Sequence, residues 1–146
     1  MEVIMEIQYT AHASATGGGR HDGHSSTDDG KIDVKTSSPK EMGGPGGDGT
    51  NPEQLFATGY AACYLGALCA AAGKDNVKLP DDTRVSADVG VGKRDDGQGL
   101  GLKVTLTATV PGHDAEQVKT WMDAAHIICP YSHATRGNIE VNLRVG

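Results

Sequence analysis

Three cysteines are the residues of this chain with the clearest capacity for chemistry. Cys63 and Cys69 lie in one long apolar segment, and Cys129 directly precedes a proline in the motif CPYSHATRGN. A thiol attacks as its thiolate, and burial raises the thiol pKa, so a reactive Cys63 needs a nearby cation. The alternative is that each cysteine is a small buried hydrophobic side chain without a chemical role.

The spacing of Cys63 and Cys69 excludes a disulfide between them if the segment is a single helix. Residues six positions apart point in different directions and are separated by about 9 Å along the helix axis. A disulfide requires Cα atoms within about 7 Å of each other. Cys129 is therefore the only cysteine in the chain that either of them can pair with.

The best candidate for the cation is Arg20. Residues 50–73 contain no Lys or Arg, so a cation beside Cys63 has to come from another part of the chain. Arg20 follows three glycines, which allow the backbone to approach another element closely. The alternative is that Arg20 is a turn residue whose side chain lies in solvent. Glu53 is placed to hold an arginine, or it is a plain carboxylate that favours the start of a helix.

Residues 50–73 predict the helix around which the rest of the chain is organised. Pro52 suits the first helical position after an Asn51 cap, or Thr50 and Glu53 form a capping box instead. After the first turn the side chains are almost all apolar, so we expect this helix to be buried on every side. Its length suits a membrane span, but its small residues and the lack of flanking basic clusters favour a core helix.

The remaining segments predict an α+β fold in one domain, residues 1–146. Alternating apolar residues predict strands at residues 4–15, 31–36, 84–93, 100–110 and 138–145. We expect the first two strands to pair, and the next two to form a hairpin. Asp114 predicts the cap of a second helix that ends near Ile128, before Cys129-Pro130. The glycine-rich residues 16–30 and 37–49 are predicted loops.

Composition and charge exclude several classes of function. The chain has 13 basic and 19 acidic residues, a net charge of −6, and only 4% aromatic residues. It therefore lacks a surface for nucleic acid or an anionic membrane. Residues 1–10 do not resemble a signal peptide, and three cysteines fit a reducing, cytoplasmic compartment. The apolar content of 37% favours a core completed by a second copy.

The six histidines do not form a recognisable metal site. His21 and His24 lie in a predicted loop, and His126, Cys129 and His133 cluster at the end of the second helix. There is no Cys-x-x-Cys pair, so we expect neither a metal nor another cofactor. The run GGPGGDG lacks the Lys-Ser/Thr that completes a phosphate-binding loop.

The motifs around both cysteines resemble the organic hydroperoxide resistance (Ohr) family, a branch of the OsmC-like group. The matching motifs are ATGGGR, TNPEQLFATGYAACYLGAL and AAHIICPYSHATRGNIEV, and the similarity extends from about Tyr9 to Val145. The resemblance implies an OsmC-like fold, in which antiparallel sheets wrap around a buried central helix. It also implies an intertwined homodimer with an active site at each subunit interface.

The same resemblance implies a thiol-dependent peroxidase that reduces organic (alkyl and lipid) hydroperoxides to alcohols. Cys63 corresponds to the family's peroxidatic cysteine and Cys129 to its resolving cysteine, so the two form a disulfide during turnover. Arg20 corresponds to the arginine that stabilises the thiolate, and Glu53 to the glutamate that holds this arginine. A lipoylated protein or dihydrolipoamide is the expected reductant.

Two features depart from the family's pattern. Three glycines precede Arg20 where two are usual, and Cys69 occupies a position where an apolar residue is expected. We expect Cys69 to lie in the core. A rival interpretation is a thiol redox sensor or binding module that forms the same disulfide without turnover. A metal-binding or purely structural dimer is a third, and it predicts that Cys63→Ser leaves function untouched.

Overall fold

A computed structural model describes residues 4–146 as two compact units, one ending at Pro52 and one beginning at Glu53. Residues 1–3 lie outside the described part of the chain. They begin the segment 1–10 that was compared with a signal peptide. The elements in chain order are β1 (Ala13–Gly17), β2 (Gly23–Thr27), β3 (Asp33–Thr36), α1 (Pro52–Lys74), β4 (Arg84–Lys93), β5 (Leu100–Thr109), α2 (Ala115–Ile128), α3 (Pro130–Thr135) and β6 (Val141–Val145). A short 3₁₀ turn, Lys40–Met42, precedes α1.

The first unit contains an antiparallel sheet in the order β1-β2-β3. The prediction of a strand at residues 4–15 is wrong in its extent, because only the last three of these residues belong to β1. The strand β2 lies in a segment predicted to be a loop, and β3 pairs with β2 instead of β1. The sequence of β2, GHSST, has no apolar residue, so its backbone pairing leaves no alternating pattern.

The glycine-rich residues 37–49 form a compact loop that is hydrogen-bonded to itself. The Gly46 N–H donates to the Ser38 carbonyl at 2.9 Å, and the Gly44 N–H donates to the Pro39 carbonyl at 3.1 Å. A Cβ on Gly44 would lie 2.3 Å from the Ser38 Cβ, so this position requires glycine. The loop returns beside β3, where the Thr50 N–H donates to the Lys35 carbonyl at 2.8 Å.

The second unit packs α1 and α2 with a sheet in the order β4-β5-β6 around one apolar core. The predicted hairpin of β4 and β5 is confirmed. The expectation of antiparallel sheets is wrong for β6, which pairs parallel to β5 after the α2–α3 connection. Alternate residues of β5 point into the core together with large side chains from both helices: Val104, Leu106, Ala108, Tyr64, Leu68, Trp121 and Met122.

The helix α1 begins at Pro52, in agreement with the interpretation that places Pro52 first, but it is not buried on every side. One face remains exposed in the single chain and carries small residues: Thr58, Ala62, Gly66, Cys69, Ala70 and Gly73. The prediction of burial on every side is therefore wrong for the single chain, because hydrophobicity alone does not show what covers a helix. The length and mean hydropathy of α1 would also allow it to cross a membrane.

The second helix agrees with its prediction at both ends. The Asp114 side chain accepts a hydrogen bond from the Gln117 N–H at 2.8 Å, and α2 ends at Ile128. Pro130 then starts the short helix α3, which was not predicted. Proline suits the first position of a helix because its missing N–H would have no partner there.

Candidate active site

Cys63 and Cys129 come together in the second unit. The Cys129 thiol donates to the Cys63 sulfur at an Sγ–Sγ distance of 3.3 Å, and both thiols are reduced. Cys129 is fully buried, whereas Cys63 is half-buried on α1. A small movement of either side chain would bring the sulfurs to the roughly 2.05 Å of a disulfide bond.

Two helix ends fix the backbone of Cys129. Its N–H donates to the Ala125 carbonyl at 2.8 Å and so ends α2, while its carbonyl accepts the His133 N–H at 2.9 Å at the start of α3. Its extended backbone, with φ −66° and ψ 125°, separates the two helices. The proline at position 130 forces this break, because the residue before a proline avoids the helical conformation.

The surroundings of Cys63 oppose its ionisation. Burial is the largest influence and raises the pKa of the Cys63 thiol, because the thiolate loses hydration. The backbone N–H of Tyr131 donates to the sulfur and lowers this pKa, while the adjacent Cys129 sulfur raises it. A thiolate at neutral pH therefore requires further stabilisation, in agreement with the reasoning from the sequence.

Three aromatic rings lie beside the cysteine pair. Phe56 and Tyr60, on the turns of α1 that precede Cys63, contact each other edge to face with ring centroids 5.8 Å apart. The Tyr131 ring lies 5.8 Å from Phe56 and 5.5 Å from Tyr60. A Cβ on Gly59 would lie 2.5 Å from the Tyr131 hydroxyl, so the glycine leaves room for this ring.

A buried polar network adjoins the aromatic rings, and the sequence analysis missed it. The Tyr60 hydroxyl is hydrogen-bonded to Ser132 Oγ at 2.8 Å and to Thr135 Oγ1 at 3.0 Å. Ser132 Oγ is also hydrogen-bonded to His126 Nδ1 at 2.8 Å. The available signal was Ser132 in the motif CPYS, but without α3 the motif does not show that this hydroxyl points inward.

Arg20 belongs to the first unit, in the turn between β1 and β2, and its Nη1 lies 3.8 Å from Met42 Sδ. Thr36 Oγ1 donates to the Gly19 carbonyl and accepts the Gly23 N–H at 3.1 Å, so one hydroxyl joins both ends of this turn. Glu53 belongs to the second unit, in the first turn of α1.

Cys69 is exposed, so the prediction that it lies in the core is wrong for the single chain. It borders a cavity of about 640 Å³ with Leu65, Val77 and Leu79, and the lining of this cavity includes neither Cys63 nor Cys129. Among residues 4–146, no three His, Cys, Asp or Glu side chains are arranged to hold a metal ion.

Known proteins are similar to this chain in sequence and in fold. Residues 44–144 match the family model described as OsmC-like protein. An organic hydroperoxide resistance protein of Xanthomonas axonopodis pv. citri is 51% identical over 138 residues, which cover 94% of each chain. One from Bacillus subtilis is 41% identical over 140 residues, which cover 94% of this chain and 97% of the relative.

The solved structures agree with the sequence relatives. The crystal structure of an organic hydroperoxide resistance protein from Elizabethkingia anophelis is similar to this fold with a TM-score of 0.89 and 44% identity. The match covers 97% of this chain and 99% of that one. The family model and the full-length similarity together show that this chain belongs to the organic hydroperoxide resistance family of OsmC-like proteins.

Proposed function

We propose that this protein is a thiol peroxidase that reduces organic hydroperoxides to alcohols, with Cys63 as the peroxidatic and Cys129 as the resolving cysteine. The observation that supports this most directly is the 3.3 Å contact between the two reduced thiols. Two thiols in contact, one buried and one accessible, suit a cycle in which the accessible sulfur is oxidised and the buried sulfur then reacts with it.

The proposed cycle has three steps. The Cys63 thiolate attacks the distal oxygen of the hydroperoxide, the O–O bond breaks, and the alkoxide takes a proton and leaves as the alcohol. The resulting Cys63 sulfenic acid condenses with the Cys129 thiol, which forms the disulfide and releases water. A dithiol then reduces this disulfide by two successive exchange reactions and is itself oxidised to a disulfide.

Arg20 is the proposed source of the charge that keeps Cys63 ionised, and Glu53 is proposed to hold Arg20. Burial of Cys63 makes such a charge necessary, and α1 carries no Lys or Arg before Lys74. A guanidinium close to a thiolate lowers the thiol pKa by Coulomb attraction and by hydrogen bonding. The assignment follows the family motifs that contain Arg20 and Glu53.

The proposed substrates carry an apolar organic group. The partly exposed rings of Phe56 and Tyr131, which pack against the buried ring of Tyr60, form an apolar surface beside Cys63. Such a surface favours an alkyl or fatty-acid hydroperoxide over hydrogen peroxide. Met42, close to Arg20 in the first unit, is a further candidate for contact with the organic group.

The proposed setting is the reducing cytoplasm, with a lipoylated protein or dihydrolipoamide as the reductant. An odd number of cysteines, three, suits a reducing compartment. We further propose a homodimer, in which the exposed small-residue face of α1 packs against a second copy. Small residues allow two helices to approach closely. The exposed face of α1 also leaves part of an apolar helix in contact with water in the single chain.

The proposal is tested by steady-state turnover with dihydrolipoamide and either cumene hydroperoxide or hydrogen peroxide. We expect kcat/KM to be at least about tenfold higher for the organic substrate, which corresponds to about 1.4 kcal/mol of differential stabilisation. Cys63→Ser should abolish turnover, while Cys69→Ala should retain it as the matched control. Equal efficiencies would refute the organic specificity. A single oxidation without repeated turnover would favour the redox sensor.

A further inference from the structure

Ser132 lies at the centre of a hydrogen-bonded network that joins three helices. Its Oγ is 2.8 Å from the Tyr60 hydroxyl on α1 and 2.8 Å from His126 Nδ1 on α2. Ser132 and Tyr60 are fully buried, so both hydrogen bonds form away from water. A buried hydroxyl that loses its partners destabilises the site that it occupies, and this gives the network a preferred geometry.

The network lies one helical turn from each sulfur. Ser132 follows Cys129 by three residues in the first turn of α3, and Tyr60 precedes Cys63 by three residues on α1. The hydrogen bond between Ser132 and Tyr60 therefore ties the turn that carries one thiol to the turn that carries the other.

A second contact holds the far end of α3. Arg136 Nη1 donates to the His126 carbonyl at 2.6 Å, at the end of α2, where carbonyl groups have no partner within the helix. The Arg136 N–H also donates to the Ser132 carbonyl at 2.8 Å. His126 thus contacts α3 through both its ring and its carbonyl, and Ser132 is the residue of α3 that its ring contacts.

We propose that Ser132 is a positioning residue that holds the Cys129 thiol against Cys63 for the resolving step. This inference rests on the proposed function. In that step the Cys129 sulfur attacks the Cys63 sulfenic sulfur, the S–O bond breaks, and the thiol proton leaves with the hydroxyl as water. The Ser132 hydroxyl takes no part in these bonds; it fixes the distance that the attacking sulfur must cross.

The predicted effect of removing Ser132 Oγ falls on one step only. A displacement of about 1 Å between reacting groups slows a reaction by as much as about a hundredfold. In Ser132→Ala we therefore expect disulfide formation to slow by about ten- to a hundredfold. Oxidation of Cys63 should stay within about twofold of wild type, because the groups proposed for that step, the Cys63 thiolate and Arg20, do not include Ser132. The Tyr60 hydroxyl keeps Thr135 as a partner in this variant, and His126, whose Nδ1 loses Ser132, is only partly buried.

The experiment uses rapid mixing of the reduced full-length protein with an excess of cumene hydroperoxide, because sulfinic acid forms only when a second equivalent oxidises the sulfenic acid. Acid quenching and mass spectrometry then count sulfenic acid, disulfide and sulfinic acid at Cys63 over time. Thr120→Ala, which removes an exposed hydroxyl bonded only within α2, is the matched control. Tyr60→Phe removes the hydroxyl on α1 to which Ser132 is hydrogen-bonded. It tests the inference independently if Ser132→Ala does not fold.

The outcomes distinguish a failure of this inference from a failure of the proposed function on which it rests. Accumulated sulfenic acid and more sulfinic acid in Ser132→Ala and in Tyr60→Phe, with wild-type behaviour in Thr120→Ala, would support the inference. Disulfide formation at the wild-type rate in a folded variant, or equal slowing of both steps, would overturn it. If the wild-type protein itself formed no disulfide between Cys63 and Cys129, the proposed function would fail, and this inference with it.

Discussion

At the scale of single residues, the two sulfurs differ in their surroundings. Burial raises the pKa of Cys63, so its reactivity depends on the charges brought to it. The backbone of Cys129 is held by its hydrogen bonds to Ala125 and His133, and Ser132 is proposed to position its thiol. We therefore expect one thiol to depend on electrostatics and the other on geometry, and substitutions of their neighbours should separate these two requirements.

Replacing Arg20 should shift the titration of Cys63 upward. Loss of a cation favours the neutral thiol, so in Arg20→Met we expect the Cys63 pKa to rise. The thiolate fraction near pH 7 then falls, and alkylation of Cys63 needs a higher pH. The measurement is the pH dependence of iodoacetamide labelling, followed at Cys63 by peptide mass spectrometry.

Arg20→Lys is the matched control, since it keeps the charge but loses the planar guanidinium, and it should give a smaller shift. An Arg20→Met profile that coincides with wild type would exclude Arg20 as the source of the stabilising charge.

At the scale of elements, a side chain of β3 helps to hold the turn that carries Arg20. Thr36 Oγ1 bonds both the Gly19 carbonyl and the Gly23 N–H, on either side of Arg20. Thr36 is buried, so water cannot easily replace these hydrogen bonds. The glycine-rich segment before Arg20 is thereby a defined turn, although its composition alone suggests an irregular loop.

Thr36→Val should loosen this turn. Valine has nearly the shape of threonine but no hydroxyl, so two backbone groups lose their partner at a cost of about 1–3 kcal/mol. We expect a corresponding loss in the free energy of unfolding by urea, and slower oxidation of Cys63 as Arg20 becomes less well placed. Thr36→Ser keeps the hydroxyl and should remain closer to wild type in both measurements. Equal behaviour of Val and Ser would contradict this role.

At the scale of the whole molecule, each unit leaves apolar surface uncovered in the single chain. The first unit exposes Ile4, Ile7 and Tyr9 by 93%, 66% and 80%, and the second exposes the small-residue face of α1. Large exposed apolar surfaces usually mark an interaction site. A second copy of this chain is the partner that we propose for the face of α1.

Gly66→Glu tests this homodimer. A Cβ added at Gly66 meets no atom within 4 Å in the single chain, and glutamate is the better helix former by about 0.5 kcal/mol. The chain should therefore fold, while the carboxylate would be buried without a partner in a dimer packed through α1. Sedimentation velocity should show a monomer for Gly66→Glu and a dimer for wild type.

The control for the added charge is Thr120→Glu, on the exposed side of α2. This variant should sediment as a dimer, like the wild type. A Gly66→Glu protein that still sedimented as a dimer would show that the face of α1 is not the interface.

Much of the site followed from the sequence, because its signals are local. The Asp114 cap, the break at Cys129-Pro130 and the start of α1 at Pro52 depend on residues only a few positions apart. The motifs around Cys63 and Cys129 likewise identified the family that the comparisons then showed. The strand β2 was missed because Ser, Thr, Gly and His side chains leave no alternation for a pattern to detect.

The sequence by itself indicated which residues are candidates for the chemistry and where the principal helices begin and end. The tertiary structure alone decided the 3.3 Å contact of two sulfurs 66 residues apart, the parallel pairing of β6, and the Ser132 network. The physical reason is that capping and periodicity act within a few turns of chain, whereas these contacts depend on how distant helices and strands pack into one core.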